Sequence, residues 1–193
     1  MILKNRLFTR RLATRNAKSI FIFCEGVKRE FQYFEYFKEI DSRINIEVYK
    51  LSSKEDNSPL GLYGIACNCI LKNKENPNPK YEFLEDDELW IVLDTDIDKL
   101  KSRKPQIEKL RHDCNQHNNW YVAQSNPCFE VWLYNHFFSE KLTGKDLSTS
   151  RFWKKIVSEK IAGGFNSKKH PIYIEAAIIN SEANHIDMII FPA

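Results

Sequence analysis

Leu89-Trp90-Ile91-Val92-Leu93-Asp94-Thr95-Asp96-Ile97-Asp98 sets five apolar residues directly before three acids. Such a run, rich in β-branched and aromatic side chains, suits a strand covered on both faces, as in the middle of a parallel sheet. The acids fall at its C-terminal end, the edge at which open α/β sheets present their ligand crevice. In an extended segment Asp94 and Asp96 project to the same side, so the stretch predicts half of a metal site.

On either side the pattern alternates between strand and helix. Residues 19–24 (Ser-Ile-Phe-Ile-Phe-Cys) form a β-favouring run that ends on Glu25-Gly26. Phe31, Phe34, Phe37 and Ile40 follow at helical spacing, which predicts an amphipathic helix from Arg29 onward whose aromatics are core. Ile44, Ile46 and Val48 alternate with polar residues as in a half-buried strand, and a polar loop over 52–61 leads into a helix over 62–72. The acidic run over 82–88 reads as a solvated approach to the central strand.

Beyond Asp98 stand Lys99, Lys101, Arg103 and Lys104, then Ile107, Leu110 and Cys114 at helical spacing. Cations beside a carboxylate cluster suit a polyanionic substrate, although ordinary loop residues look the same. Residues 120–123 are the next strand. Ser125 or Asn126 as cap and Pro127 as first helical residue predict a helix over 128–138, with Glu130 in its first turn, where the helix dipole favours a carboxylate. A basic amphipathic helix carries Phe152, Trp153, Ile156, Val157 and Ile161, Gly163-Gly164 ends it, and Lys168 follows in a loop suited to phosphate contact. A helix over 173–183 and a short strand over 188–191 complete the reading.

Composition bounds the function. A chain of 193 residues with 42% hydrophobic and 13% aromatic content is long enough for one α/β domain with a sizeable core. Apolar runs fall short of a membrane span, and five cysteines without a Cys-x-x-Cys pair suit a reducing, cytoplasmic setting and disfavour zinc. The net charge is only +3, yet the first acid is Glu25, so residues 1–18 form a basic N-terminal arm ahead of a single domain over 19–193. That arm suits a phosphate backbone and, equally, a solvated terminus; it lacks the apolar region of a secretory signal and only weakly resembles a transit peptide.

Right-handed crossovers in a parallel sheet bring successive strand ends to one edge, so Glu25 joins Asp94 and Asp96 there. Hard oxygen ligands of this kind suit magnesium, which binds through few carboxylates together with water and substrate phosphate. Gly26 permits close approach of a phosphate or metal to the backbone. Asp-x-Asp alone does not choose a reaction.

Phe23-Cys24-Glu25-Gly26 with Glu30, Leu93-Asp94-Thr95-Asp96, and above all residues 125–133 (Ser-Asn-Pro-Cys-Phe-Glu-Val-Trp-Leu) with His136-Phe137 resemble the RloB-like family, a branch of the Toprim superfamily. The likeness spans about residues 20–138 and continues loosely over 164–169 and 176–179. Arg29 stands where the family pattern usually has threonine, and Thr95 where arginine is more usual. The resemblance implies a Toprim-like Rossmannoid domain, a mostly parallel sheet flanked by helices with a small C-terminal helical extension. It also implies magnesium-dependent phosphodiester chemistry, with manganese as a substitute, in bacterial antiphage loci beside an AAA- or ABC-type ATPase.

Carried over by position, Glu25, Asp94, Asp96 and Glu130 are the acidic set: Asp94, Asp96 and Glu130 as ligands, Glu25 as general base or ligand. Lys99, Lys101 and Lys168 would neutralise flanking phosphates of DNA or RNA. Asp98 is required by no matched motif and reads as a solvent or capping residue. The competing expectations are a non-catalytic nucleic-acid-binding or assembly module of an ATPase complex, and a phosphatase using Asp94 as nucleophile.

Overall fold

A computed structural model describes residues 10–95 and 100–184. Four strands, β1 (Lys18–Cys24), β2 (Ile44–Tyr49), β3 (Glu88–Asp94) and β4 (Trp120–Ser125), form one sheet in the order β2-β1-β3-β4. Every neighbouring pair is parallel. Helices α1 (Arg29–Glu35), α2 (Pro59–Ile70) and α3 (Leu100–Cys114) link the strands, and α4 (Glu130–Asn135), α5 (Ser150–Lys160) and α6 (Ile174–Asn184) follow. Leu89 to Asp94 of the quoted stretch thus belong to an interior strand, as the unbroken apolar run requires.

Period-2 alternation divides the core between the two faces. Phe21, Phe23, Leu89, Ile91 and Leu93 pack with Leu62, Ala66, Ile107 and Leu110 of α2 and α3. Ile22, Cys24, Val48 and Val92 pack on the opposite face with Phe31 and Phe34 of α1. Asp94 continues the second phase, Trp90-Val92-Asp94, and so belongs to the α1 side of the sheet. A further apolar cluster joins Tyr33 of α1, Leu133 and Tyr134 of α4, and Trp153 and Val157 of α5.

Some boundaries differ from the expectations. The second helix begins at Pro59, because Ser58 caps it by accepting from Gly61 N–H at 3.1 Å and proline fits its first position. The first helix ends at Glu35 rather than near Ile40. Pro127 is not the first residue of α4: the Asn126–Pro127 peptide is cis and the helix starts at Glu130. The strand expected over 188–191 lies outside the described residues. All five cysteines are free, and all but Cys67 are buried. Among the described residues, no helix is long and apolar enough to cross a membrane.

Candidate active site at the sheet edge

The strand order creates a topological switch point. From β1 the chain crosses to β2 on one side, then returns past β1 to β3 on the other, so the crevice of this doubly wound sheet opens between β1 and β3. Glu25 follows β1 and Asp94 ends β3. Their contact is direct: the Asp94 N–H donates to Glu25 Oε2 at 3.3 Å, and the Glu25 N–H donates to the Val92 carbonyl at 2.9 Å.

Two more carboxylates come from helices. Glu130, only 4% exposed, sits in the first turn of α4, and Glu30 in the first turn of α1. Burial first, and then the charges of Glu30, Glu25 and Glu130, push the Asp94 carboxyl up to about 8, while Lys154 of α5 opposes them. Glu30 is raised as well, chiefly by burial, with Glu130 and Glu25 adding repulsion and its own backbone and Arg29 opposing. Four acids therefore converge on one sheet edge.

Arginines answer part of this charge. Arg103 of α3 donates to Glu25 Oε2 at 2.6 Å, and Arg29 of α1 donates to Glu130 Oε1 at 2.7 Å. Among the described residues, no cation forms an ion pair with Asp94. Beneath the edge, Thr95 N–H donates to the Ser125 carbonyl at 2.8 Å and Gln124 bonds the Thr95 hydroxyl, which ties the end of β3 to the end of β4.

Glu25, Asp94 and Glu130 thus occupy the same edge, as their spacing and the family resemblance led one to expect. Asp96, Asp98 and Lys99 lie outside the described residues, as does the side chain of Lys101. Lys168 is exposed in the loop before α6, and among the described residues no hydrogen bond or ion pair joins it to the carboxylates.

Sequence reasoning gives Glu30, Arg29 and Lys154 no role at the site and names Arg103 only among the cations beside the acids. Arg103 carried a readable signal: with Ile107, Leu110 and Cys114 it follows an i, i+4, i+7, i+11 pattern, which puts it on the inward face of α3. Glu30 had a subtler one in Gly26. A Cβ built on Gly26 would stand 1.8 Å from Glu30 Oε2, so the close approach that this glycine permits is made by a carboxylate of the cluster.

The donor set is all carboxylate, hard oxygen that matches magnesium or manganese. A half-buried acid pushed toward its neutral form by desolvation and by neighbouring carboxylates is also what a divalent cation would relieve. Among the described residues, however, no group of three or more acids, histidines or cysteines is close enough to hold a metal as the side chains stand. The chemistry of the set fits the ion; Asp96, the remaining expected ligand, lies outside the described residues, and Glu25 and Glu130 face arginines.

The family model for RloB-like proteins matches residues 20–189. No curated protein and no solved structure matches the chain. The match covers most of the sequence, and the chain belongs to the RloB-like family.

Proposed function

We propose that this RloB-like chain is a Toprim-like nuclease that hydrolyses phosphodiester bonds of DNA or RNA with magnesium, or manganese in its place. We place it in cytoplasmic antiphage defence beside an AAA- or ABC-type ATPase. One observation carries the reading: half-buried Asp94, at the switch point of the sheet, meets Glu25 directly, and desolvation with the charges of Glu30, Glu25 and Glu130 raises its carboxyl to about 8. Structural acids are usually paired, whereas strongly perturbed groups in a cleft are the mark of a working site.

Asp94, Asp96 and Glu130 would hold the ion, which supplies Lewis-acid activation of water and neutralisation of developing charge. Arg29 and Arg103 already reach this edge, and their planar forks suit the non-bridging oxygens of a phosphate. Glu25 keeps Oε2 on Arg103 and the Asp94 amide, which leaves Oε1 to take the proton of the attacking water. Lys154, Lys99, Lys101 and Lys168 would neutralise flanking phosphates.

A second reading has its own support. Glu25 and Glu130 are engaged by arginines, as expected of a non-catalytic assembly or nucleic-acid-binding module. The phosphatase alternative is weaker, since it gives Glu130, buried at this same edge, no role. Incubation of the purified protein with end-labelled RNA and DNA separates these readings. Cleavage that requires Mg²⁺ or Mn²⁺ and stops with chelator is the expected result; intact nucleic acid with turnover of small phosphomonoesters would overturn it.

A further inference from the structure

Beside the acid edge lies a cavity of about 400 Å³, and we propose that it receives one unstacked nucleobase of a single-stranded nucleic acid. The inference rests on the phosphodiester reading only for what lies next door, the phosphate at Asp94. The cavity wall includes Ser125, which is the Cα partner of Asp94 in the β3–β4 ladder, and Trp132, two residues past Glu130. Neighbouring strands stand about 4.8 Å apart, so the cavity begins one strand spacing from Asp94. That separation is comparable to the distance between a nucleotide's phosphate and its own base.

The lining suits a flat, neutral, polar-edged ligand. Trp132, Trp153 and Tyr134 contribute aromatic surface, and their polar atoms are already used. The Trp132 indole donates to Tyr33, the Trp153 indole to the Leu147 carbonyl, and the Tyr134 hydroxyl to the Glu140 carbonyl. These rings therefore offer apolar surface, on which a base can stack.

Asn135 is different. It is 6% exposed, lines the cavity, and its side-chain amide has no hydrogen-bond partner among the described residues. Since none of the fully buried side-chain nitrogens and oxygens lacks a partner there, the Asn135 amide keeps its small access through the cavity. A donor and an acceptor side by side match the edge of a nucleobase. Among the described residues, the acid on the wall is Glu140, and it pairs with Lys160 at 3.2 Å.

A base seated there has left its stack, so the substrate is single-stranded or has the base flipped out. The test is equilibrium binding of a fluorescent oligonucleotide, as single-stranded RNA, single-stranded DNA and duplex, measured by anisotropy in chelator so that nothing is cut. Wild type is expected to bind at least one single strand roughly tenfold more tightly than duplex, as one stacked base supplies. Asn135→Leu loses that preference, and Asn135→Asp weakens it. Two variants guard against one that fails to fold, and circular dichroism checks each.

Folded Asn135 variants that bind single strands as wild type does, or equal affinity of wild type for duplex, would overturn the inference. Cleavage with magnesium by wild type and Asn135→Leu at equal rates would overturn it while leaving the hydrolase reading intact. Asn135-dependent binding of a strand that is never cut would do the reverse.

Discussion

At Asp94, burial and three neighbouring carboxylates act in one direction, toward the neutral form. An acid whose folded pKa of about 8 lies above its unfolded value of 3.8 binds its proton more tightly in the native state. Stability from this group is therefore fully present below about pH 4 and is lost as pH rises toward 8. His136 runs oppositely. Its Nδ1–H donates to the Trp132 carbonyl at 3.0 Å, which leaves Nε2 to accept from the Tyr33 hydroxyl at 3.0 Å, and burial pushes it from 6.5 down to about 4. Its contribution is present above about pH 6.5 and is lost toward pH 4.

Between pH 6.5 and 8, then, Asp94 alone of the two sets the slope. In chelator, urea midpoints of wild type should fall across that window, while Asp94→Asn should hold flat and exceed wild type by about 1–3 kcal/mol at pH 8. An Asp94→Asn protein less stable than wild type at pH 8 would mean that Asp94 is an ordinary paired carboxylate. Asp94 and Glu25 were readable in sequence because strand ends and acids coincide. Arg29 was noticed only as a departure from the family pattern, and its role rests on a long-range meeting of α1 with α4 that no local pattern encodes.

Elements were most legible where a single period dominates. β1, β2 and β3 agree with their patterns to within a residue, and α5 follows its amphipathic spacing. Misjudgement gathered where proline can play two parts. Pro59 opens α2, although it reads as loop; Pro127 follows a cis peptide bond and lies in the turn before α4, although it reads as a helix start. Residue type alone does not separate those uses. Ser58→Ala tests the α2 assignment: loss of the cap bond to Gly61 should cost about 1 kcal/mol in urea unfolding and leave any cleavage rate unaltered. Unchanged stability would place the start of α2 elsewhere.

Over the whole molecule, the all-parallel order β2-β1-β3-β4 gathers acids from distant parts of the chain, because each crossover returns to the same edge. The alternation of strand and helix made this much legible. The attachment of the C-terminal helices was not, since it depends on side chains from α1, α4 and α5 sharing one cluster. That cluster should make the domain unfold as a unit. Leu133→Ala, at a position with no exposure, is expected to cost about 2–5 kcal/mol, with far-ultraviolet dichroism and tryptophan fluorescence shifting together. Two separated transitions would divide the C-terminal helices from the sheet.

The central claim, that the convergent acids form a metal-dependent hydrolytic site, is tested most directly by initial rates of nucleic-acid cleavage in magnesium. Wild type is compared with Asp94→Asn, which keeps the side chain's shape and removes its charge. A loss of at least about 10²-fold in a protein as well folded as wild type is the predicted result. Equal rates for the two proteins would contradict the account.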